Sequence, residues 1–411
     1  MSVVARPLHS PKMMPAETGA QSGRFLALYT LAAAGGAVAY VPFLTLLLPL
    51  QATTLFGSGA VNVIAYTAFF GAVAASLSNI LFGWLSDRTQ ARTPWIWAGL
   101  ILSSLLLILM PLTRTPLTLI SLIVAWQVAL NMMLAPLSAW AGDHVPDAQK
   151  GLLGGLLAFT PAIGALSGAG ITLLGAAAVE GRHALVAGLV IMMVLPALVF
   201  GRPRPMPQLR VPDVTPLKRD LGRFVRSDVA RMWLARLCVQ VAEASLFAFL
   251  LLWFRSLEPS IREQDVASLF SFTLFIAVGF TLVIGRWSDR AGQPILPLVV
   301  CALFAAIGLT VMAASTTLMG AISGYVVFCL AGSIFLALHN SQTLRVLPRP
   351  QNRGRDLGLF NLTNTVPSLL MPWMALSLAT AQGFSALFWL LAGLALVAGL
   401  LLLTVKPQPT S

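Results

Sequence analysis

The sequence predicts an all-α polytopic membrane protein whose twelve transmembrane helices form two six-helix bundles. Three observations predict this class: the composition is very apolar, twelve stretches have the length of a membrane span, and two motifs recur at nearly one offset. Of the 411 residues, 57% are hydrophobic and only 10% are charged, and the mean hydropathy is +0.85. Because a soluble domain carries about 25% charged residues, this chain needs lipid around it.

The predicted spans are stretches that approach or exceed the roughly 20 apolar residues that a bilayer core requires. The first six are 25–50, 60–83, 95–113, 117–140, 151–178 and 183–201, and the second six are 230–254, 265–286, 295–313, 317–340, 355–380 and 384–405. The intervening segment 202–229 is rich in proline and arginine. Proline at this density opposes a continuous helix, so we predict a basic linker with room for a surface helix near its end.

Basic residues predict the orientation of the chain. With the N-terminus inside, the inner segments hold most of the lysine and arginine, and the outer segments hold only Arg114, Arg182, Arg255 and Arg262. Lysine and arginine accumulate in cytoplasmic loops, so we expect both termini in the cytoplasm and a location in the cell membrane (the inner membrane in a bacterium). This asymmetry accounts for the net charge of +12 without a nucleic-acid partner. The predicted organisation is a cytoplasmic tail 1–24, an N-terminal bundle 25–201, the linker 202–229, a C-terminal bundle 230–405 and a tail 406–411.

An internal repeat relates the two sets of spans. Residues 83–88 read Gly-Trp-Leu-Ser-Asp-Arg and residues 285–290 read Gly-Arg-Trp-Ser-Asp-Arg, so Asp87 and Asp289 correspond at an offset of 202 residues (289 minus 87). A second motif, Gln-Lys-Gly-x-x-x-Gly at 149–155 and Gln-Asn-Arg-Gly-x-x-x-Gly at 351–358, aligns Gly151 with Gly354 at 203 (354 minus 151). Two motifs at nearly one offset indicate a tandem duplication of a six-helix unit. Because six is even, the two copies insert in parallel.

Gly-x-x-x-Asp-Arg after span two, repeated after span eight, resembles the signature loop of the major facilitator superfamily, and the resemblance covers the whole chain. One departure is Gln90, which stands where the family pattern has glycine. The run Ser-Asp-Arg-Thr at 86–89, with Pro-Trp-Ile at 94–96 and the motif around 353–358, is similar to the glycoside–pentoside–hexuronide cation symporters and sucrose-type carriers. Those symporters bind a cation through carboxylates on span two, whereas this chain has no Asp or Glu between Glu17 and Asp87.

The resemblance implies a cytoplasmic gate. In the superfamily the signature Asp engages the opposite bundle and holds the cytoplasmic face shut, so Asp87 is expected to meet the start of span eleven and Asp289 the start of span five. A helix N-terminus offers free N–H groups and partial positive charge, and a nearby guanidinium or ammonium adds a charge-assisted bond. The expected gating residues are Asp87, Arg88, Asp289, Arg290, Lys150, Gly151, Arg353 and Arg355.

One acidic residue lies well inside a predicted span. Of the 14 Asp and Glu residues, 13 fall in tails, loops or span ends, and Glu243 falls near the middle of span seven. Arg236 and Gln240 lie seven and three residues earlier, on the same helix face. A charge inside the bilayer costs at least about 2.5 kcal/mol, so Glu243 either carries a proton or contacts substrate, or forms a structural pair with Arg236.

Neutral polar residues inside the spans supply further candidates for substrate contact. Amides, hydroxyls and aromatic rings can hydrogen-bond and stack against a sugar-like solute, although they also serve as bonds between helices, worth about 0.6 kcal/mol each. These candidates are Gln127, Asn131, Trp126, Tyr40, Asn62, Tyr66, Asn361 and Asn364.

The sequence favours a secondary transporter of a small organic solute, such as a sugar or related metabolite, which works by alternating access. Proton coupling is the expectation, and uniport or coupling by other means are the alternatives. Efflux of a drug-like compound is the first alternative, and a receptor or assembly factor on the same fold is the second. No catalytic motif of a hydrolase, zinc protease or phosphate-binding loop occurs, so we do not expect an enzyme. We expect no cofactor or metal, and a monomer whose partners are the substrate, a coupling proton and the lipid bilayer.

The predicted topology can be tested with single cysteines at Arg114 and Arg255, labelled by a membrane-impermeant reagent in intact cells. Both positions should react from outside, because both lie in loops on the side that is poor in basic residues. A cysteine at Arg219, in the linker, is the reference for the inner side. Labelling of Arg114 or Arg255 from the same side as Arg219 would contradict the topology.

Overall fold

The computed structural model describes residues 19–173, 179–209, 220–347, 350–374 and 384–405. Most of the predicted N-terminal tail, the middle of the linker, the ends of predicted spans five and eleven, and the C-terminal tail lie outside these residues. The described part of the chain is almost entirely helical and contains no β-strand.

The N-terminal half contains the helices α1 (Gly23–Pro42), α2 (Leu48–Phe56), α3 (Ala60–Arg88), α4 (Thr93–Leu109), α5 (Pro116–His144), α6 (Lys150–Leu157), α7 (Phe159–Leu173) and α8 (Val179–Phe200). The C-terminal half contains α9 (Asp220–Leu257), α10 (Glu263–Ala291), α11 (Leu296–Ala314), α12 (Leu318–Val346), α13 (Arg353–Met374) and α14 (Phe384–Leu403). A π-helical turn at Phe43–Leu47 joins α1 to α2 within one span. Similarly, α6 and α7 make up one predicted span.

The described helices occupy all twelve predicted positions. Ten helical segments of the described chain are long and apolar enough to cross a membrane, and the two arms of α9, which meet at 53°, form an eleventh. The twelfth position is that of α13, which reaches the edge of the described residues at Met374. The all-α membrane fold with two sets of six helices is therefore confirmed.

Several helices extend beyond the apolar stretches that predicted them, and α3 and α9 are two examples. Helix α3 continues to Arg88, whereas predicted span two ends at residue 83, and α9 begins at Asp220, whereas predicted span seven begins at 230. Hydropathy marks only the part of a helix that contacts lipid, so polar helix ends are missed. The last linker proline is Pro216, and the backbone after it is free to be helical.

Each half has its own apolar core. In the N-terminal half, the buried cluster includes Phe43, Trp126 and Leu130, and in the C-terminal half it includes Trp253 and Phe388. The ring centroids of Phe43 and Trp126 are 4.8 Å apart, and those of Trp253 and Phe388 are 4.4 Å apart, both edge to face. Such packing holds helices together in lipid, where the hydrophobic effect between them is weak.

The two halves meet most closely at one end of the molecule, which we call the signature face (the ends of α3, α5, α10 and α12 with the starts of α6 and α13). A Cβ atom built on Gly83 of α3 would overlap the backbone of Gly354 at the start of α13. The repeat-related pair behaves the same way, because a Cβ on Gly285 would overlap the backbone of Gly151. Only glycine permits this approach of the helices.

Helices α3 and α13 separate with distance from the signature face. Ser76 lies on α3 one heptad, about two helical turns, from Gly83. Its hydroxyl donates a hydrogen bond to the Thr365 hydroxyl at 2.7 Å. Phe69 and Asn62, at the next two heptad positions on that face, are exposed. The structure is therefore closed at the signature face, and α3 and α13 diverge toward the opposite end.

The glycine contact generates the first prediction from the structure. Gly83→Ala should weaken closure of the signature face, because overpacking of a tight contact costs about 1–3 kcal/mol. Spin labels at the exposed residues Thr89 and Gln351 report the separation of the halves, and their distance distribution should gain a longer component. The matched control is Gly279→Ala on α10, where an added Cβ meets no atom within 4 Å. Equal effects of the two substitutions would rule out the contact as the cause.

Candidate functional site

A carboxylate from each half binds the N-terminus of a helix in the other half. Asp87, in the last turn of α3, is 5% exposed. Its Oδ1 accepts from the Gly354 amide at 2.9 Å and its Oδ2 from the Arg355 amide at 2.8 Å. The first amides of a helix have no partner within the helix, and the helix dipole favours an anion there. Asp87 therefore caps α13 across the interface.

The repeat-related carboxylate makes the equivalent contacts. Asp289, near the end of α10, accepts from the amides of Gly151 and Leu152 at the start of α6, both at 2.9 Å. The Arg345 guanidinium adds an ion pair to Asp289 Oδ1 at 2.9 Å. The contacts expected of Asp87 and Asp289 are thus both present, related by the internal repeat.

A buried ion-pair network supports the Asp87 contact. Arg92 Nη1 lies 2.7 Å from Asp87 Oδ1, and Arg92 Nε donates to Asp143 Oδ2 at 2.9 Å. Arg353, at the start of α13 in the opposite half, donates to Asp143 Oδ1 at 2.8 Å. All of these side chains are at most 10% exposed. The network joins the two halves at this face, because Asp143 of the N-terminal half pairs with Arg353 of the C-terminal half.

The other predicted gating side chains contact mainly residues of their own half. Arg88 stacks over the Trp84 ring at 5.5 Å, Arg290 is exposed, and the Arg355 guanidinium pairs with its neighbour Asp356. Lys150 is buried, forms an ion pair with Asp147, and lies 3.4 Å from the Leu344 carbonyl oxygen of the opposite half. Among these four, the Lys150 side chain and the Arg355 backbone take part in the described contacts across the interface.

Three residues that make these contacts were not among the predicted site residues: Arg92, Asp143 and Arg345. A signal for two of them is present in the sequence, because Asp143 and Arg345 are related by the same repeat offset of 202 (345 minus 143). Both are charged residues near the ends of corresponding helices, α5 and α12. The first half therefore has an acid where the second half has a base. Asp143 pairs with arginines, whereas Arg345 pairs with Asp289.

The signature loop contains a strained residue. Gln90 has φ 51°, in the left-handed region, and the equivalent residue of the second half is Gly292 with φ 64°. Glycine adopts this conformation freely, whereas other residues are disfavoured there by about 1–2 kcal/mol. The Gln90 amide group donates to the Asp87 carbonyl oxygen, which stabilises the turn. The departure from the family pattern thus falls at the position where glycine is favoured.

A second polar cluster joins α9 to α13 inside the C-terminal half. Arg236 is 5% exposed, its Nε donates to Thr363 Oγ1 at 2.9 Å, and its Nη2 donates to Asn364 Oδ1 at 3.1 Å. The Asn364 amide in turn donates to Asn361 Oδ1 at 2.8 Å. Arg236, Asn361 and Asn364, predicted separately from two spans, therefore lie in one connected cluster.

Glu243 lies two helical turns from Arg236 on α9 and is half-buried. Gln240 Nε2 donates to Glu243 Oε2 at 3.1 Å. Among the described residues, no basic side chain forms an ion pair with Glu243, and the Arg236 guanidinium is directed to α13 instead.

The predicted residues of α5 lie in the N-terminal half, where Asn131 makes hydrogen bonds within the protein and Trp126 packs in the core. Asn131 Oδ1 accepts from the Asn79 amide at 2.8 Å, and the Asn131 amide donates to the Gln127 carbonyl oxygen. Trp126 is fully buried in the core. Its indole N–H has no hydrogen-bond partner among the described residues. The Asn79–Asn131 hydrogen bond joins α3 to α5.

The remaining predicted residues are exposed. Tyr40 is 39% and Tyr66 57% exposed, and Asn62 is exposed one turn before Tyr66 on α3. The Tyr66 ring stacks on Phe70 with centroids 6.5 Å apart. Across the described residues, no three His, Cys, Asp or Glu side chains come together in an arrangement that could hold a metal ion.

Comparison with known families finds one match over nearly the whole chain. A sequence model described as the Major Facilitator Superfamily matches residues 23–349 and, overlapping, 232–411. No individually curated protein matches the sequence.

Solved structures of transporters share the fold. The transporter FucP in its outward conformation superimposes with a TM-score of 0.73 at 16% identity, over 94% of this chain and 99% of that one. The proton:xylose symporter XylE gives 0.72 at 13% identity, over 93% and 96%. A bacterial homologue of the iron transporter ferroportin, outward-facing, gives 0.71 at 16% identity, over 94% and 99%. At these identities the likeness shows the fold alone.

The Asp87 contact generates a second prediction from the structure. Asp87→Asn should open the signature face, because an amide nitrogen cannot accept from a backbone N–H and the negative charge is lost. Hydrogen bonds to a charged group contribute about 1.5–3 kcal/mol, so the equilibrium should shift by about one to two powers of ten. The measurement is the reactivity of single cysteines from each end of the protein.

The control for Asp87→Asn is Asp265→Asn, which alters an exposed pair with Arg262 at the opposite end of α10. It should leave the reactivity of every reporter cysteine unchanged. If Asp87→Asn also leaves both ends unchanged, Asp87 does not hold the signature face closed.

Proposed function

We propose, from the premise that this chain belongs to the Major Facilitator Superfamily and is a transporter rather than an enzyme, that it moves a small organic solute by alternating access. In this mechanism the two halves rock about a site between them, so that each end opens in turn. The observation that carries the proposal is the paired capping of α13 by Asp87 and of α6 by Asp289. Both contacts join opposite halves at one end, and both must break for that end to open.

The gate acts through these contacts. When the signature face is closed, two carboxylates cap two helices and the Arg92–Asp143–Arg353 network bridges the halves. When it opens, water replaces both sets of partners, so the difference in free energy between the states is small enough to be reversed by substrate binding. We place the signature face and both termini on the cytoplasmic side, because the basic residues are concentrated there.

Glu243 is the proposed site of proton coupling. A carboxylate inside a membrane protein marks a proton pathway more often than a lipid contact, and Glu243 has no basic ion-pair partner among the described residues. Arg236 donates to Thr363 and Asn364 at 2.9 and 3.1 Å, which argues against a structural Arg236–Glu243 pair. Gln240 can donate to the ionised carboxylate, and its oxygen, which lacks a partner in the described structure, can accept from the protonated form after an amide flip.

The proposed substrate is a sugar or a related polar metabolite. The polar groups of Gln240 and of the Arg236 cluster are amides, a hydroxyl and one guanidinium, which recognise hydroxyl-rich solutes through directional hydrogen bonds. One protein that shares this fold is named as a proton:xylose symporter, so the fold accommodates a substrate and a coupling ion of this kind. A thermal-shift screen of sugars, sugar acids and amphiphiles would identify a compound for transport assays. We propose that the transporter works as a monomer.

The proton site generates the prediction for this subsection. In proteoliposomes with a substrate from the screen, Glu243→Gln should abolish accumulation driven by a pH gradient, because glutamine cannot release a proton. Exchange of labelled substrate across the membrane should survive, because the gate and the other polar groups remain. The measurement is uptake with and without the gradient, compared with counterflow exchange.

The matched control is Glu258→Gln, which neutralises a carboxylate just beyond the end of α9 and should leave both activities unchanged. Retained pH-driven accumulation in Glu243→Gln would exclude Glu243 as the coupling site. Loss of folded protein in that variant would favour a structural role. Specific binding of a compound without any transport by the wild type would favour a receptor on this fold.

A further inference from the structure

A cavity of about 350 Å³ lies between the start of α1 and the end of α8. Three arginines line it: Arg24 in the first turn of α1, and Arg202 and Arg204 just after α8. The described lining contains no Asp or Glu. A concentration of three guanidinium groups around one opening, with no carboxylate among them, creates a strongly positive local field.

The basic groups of this cavity are available to a ligand. Among the described residues, Arg24 and Arg202 make no ion pair and no side-chain hydrogen bond, and Arg204 Nη1 donates to the Ala20 carbonyl oxygen at 3.0 Å. Ser22 caps α1 by accepting from the Phe25 amide. The amides of Gly23 and Arg24 precede the first intrahelical bond of α1. The cavity therefore offers guanidinium and backbone N–H donors, and no carboxylate of its described lining neutralises them.

The cavity lies where the apolar surface of the protein ends. Val199 and Phe200 line its edge in the last turn of α8, and they are 46% and 57% exposed. Helix α8 contains the membrane-spanning segment Gly181–Phe200. Exposed apolar side chains at the end of a span contact acyl chains, and Arg202 and Arg204, two and four residues further, lie at the level of the lipid headgroups.

We propose that this cavity binds the headgroup of an anionic phospholipid. The guanidinium groups bind the phosphate oxygens, for which their planar fork of donors is well suited, and Val199 and Phe200 contact the acyl chains. Three arginines match a headgroup with two phosphates, such as diphosphatidylglycerol, better than one with a single phosphate. The charge distribution of the chain puts this face in the cytoplasm, and anionic lipids of the cytoplasmic leaflet attract basic segments there.

A free phosphate ion shares the charged part of this chemistry and would use the same arginines. It would gain nothing from Val199 and Phe200, which lie on the lipid-facing side of the opening. Competition between lipid and inorganic phosphate therefore distinguishes the two sources of the ligand.

The test is native mass spectrometry of the full-length protein in detergent with added diphosphatidylglycerol, phosphatidylglycerol or phosphatidylethanolamine. The wild type should retain diphosphatidylglycerol most strongly and phosphatidylethanolamine least. The double variant Arg24→Gln/Arg202→Gln should lose about 30-fold in affinity for diphosphatidylglycerol, since each basic residue near an anionic membrane surface contributes a factor of about five. The control Arg286→Gln/Arg290→Gln removes the same charge from exposed positions outside the cavity and should retain the lipid.

Equal retention of anionic and zwitterionic lipids by the wild type would overturn the proposal. So would an equal loss of lipid in the control variant, because the attraction would then come from the net charge of the face. Displacement of the lipid by inorganic phosphate at the same phosphorus concentration would assign the cavity to free phosphate. These comparisons in the wild type decide the matter even if the double variant does not fold.

Discussion

Two buried helix N-termini, each in contact with the opposite half, constrain the rest of this structure. Backbone N–H groups in a membrane protein need partners wherever lipid and protein exclude water. At α13 and α6 these partners are the carboxylates of Asp87 and Asp289. The carboxylates can reach the amides only if the helices nearly touch, and glycine at 83, 151, 285 and 354 allows that approach. Charge, backbone geometry and residue size therefore favour one arrangement of the halves.

Closure at the signature face also positions the polar residues that lie further along the same helices. Helix α3 leaves α13 beyond the Ser76–Thr365 hydrogen bond, and its next heptad positions are exposed. Helix α13 carries Asn361 and Asn364, and its Thr363 and Asn364 accept from Arg236 of α9. A movement of α13 away from Asp87 would thus be transmitted to the cluster that contains Arg236. Helix α13 therefore connects the Asp87 contact to the Arg236 cluster.

The fold could be predicted from hydropathy and from the repeat, and the contacts of Asp87 and Asp289 from the resemblance to the signature loop of the superfamily. The offset that aligns Asp87 with Asp289 also aligns the helix starts that they cap. Side-chain partners could not be predicted in the same way, since helical periodicity places Arg236 and Glu243 on one face but does not say which neighbour each side chain reaches. Arg236 reaches Thr363, 127 residues later. Trp126 was expected near substrate because it adjoins Gln127, yet adjacent residues on a helix point in different directions, and its ring packs in the core.

The central claim is that the two carboxylate caps together hold the signature face closed. The most direct test is distance measurement by pulsed electron–electron double resonance at both ends of one protein, comparing the wild type with the variant Asp87→Asn/Asp289→Asn. Labels at Thr89 and Gln351 report the signature face, and labels at the exposed residues Leu117 and Met319 report the opposite end. We predict that the first distance lengthens and the second shortens in the double variant. Unchanged distances at both ends, or lengthening at both, would contradict the account.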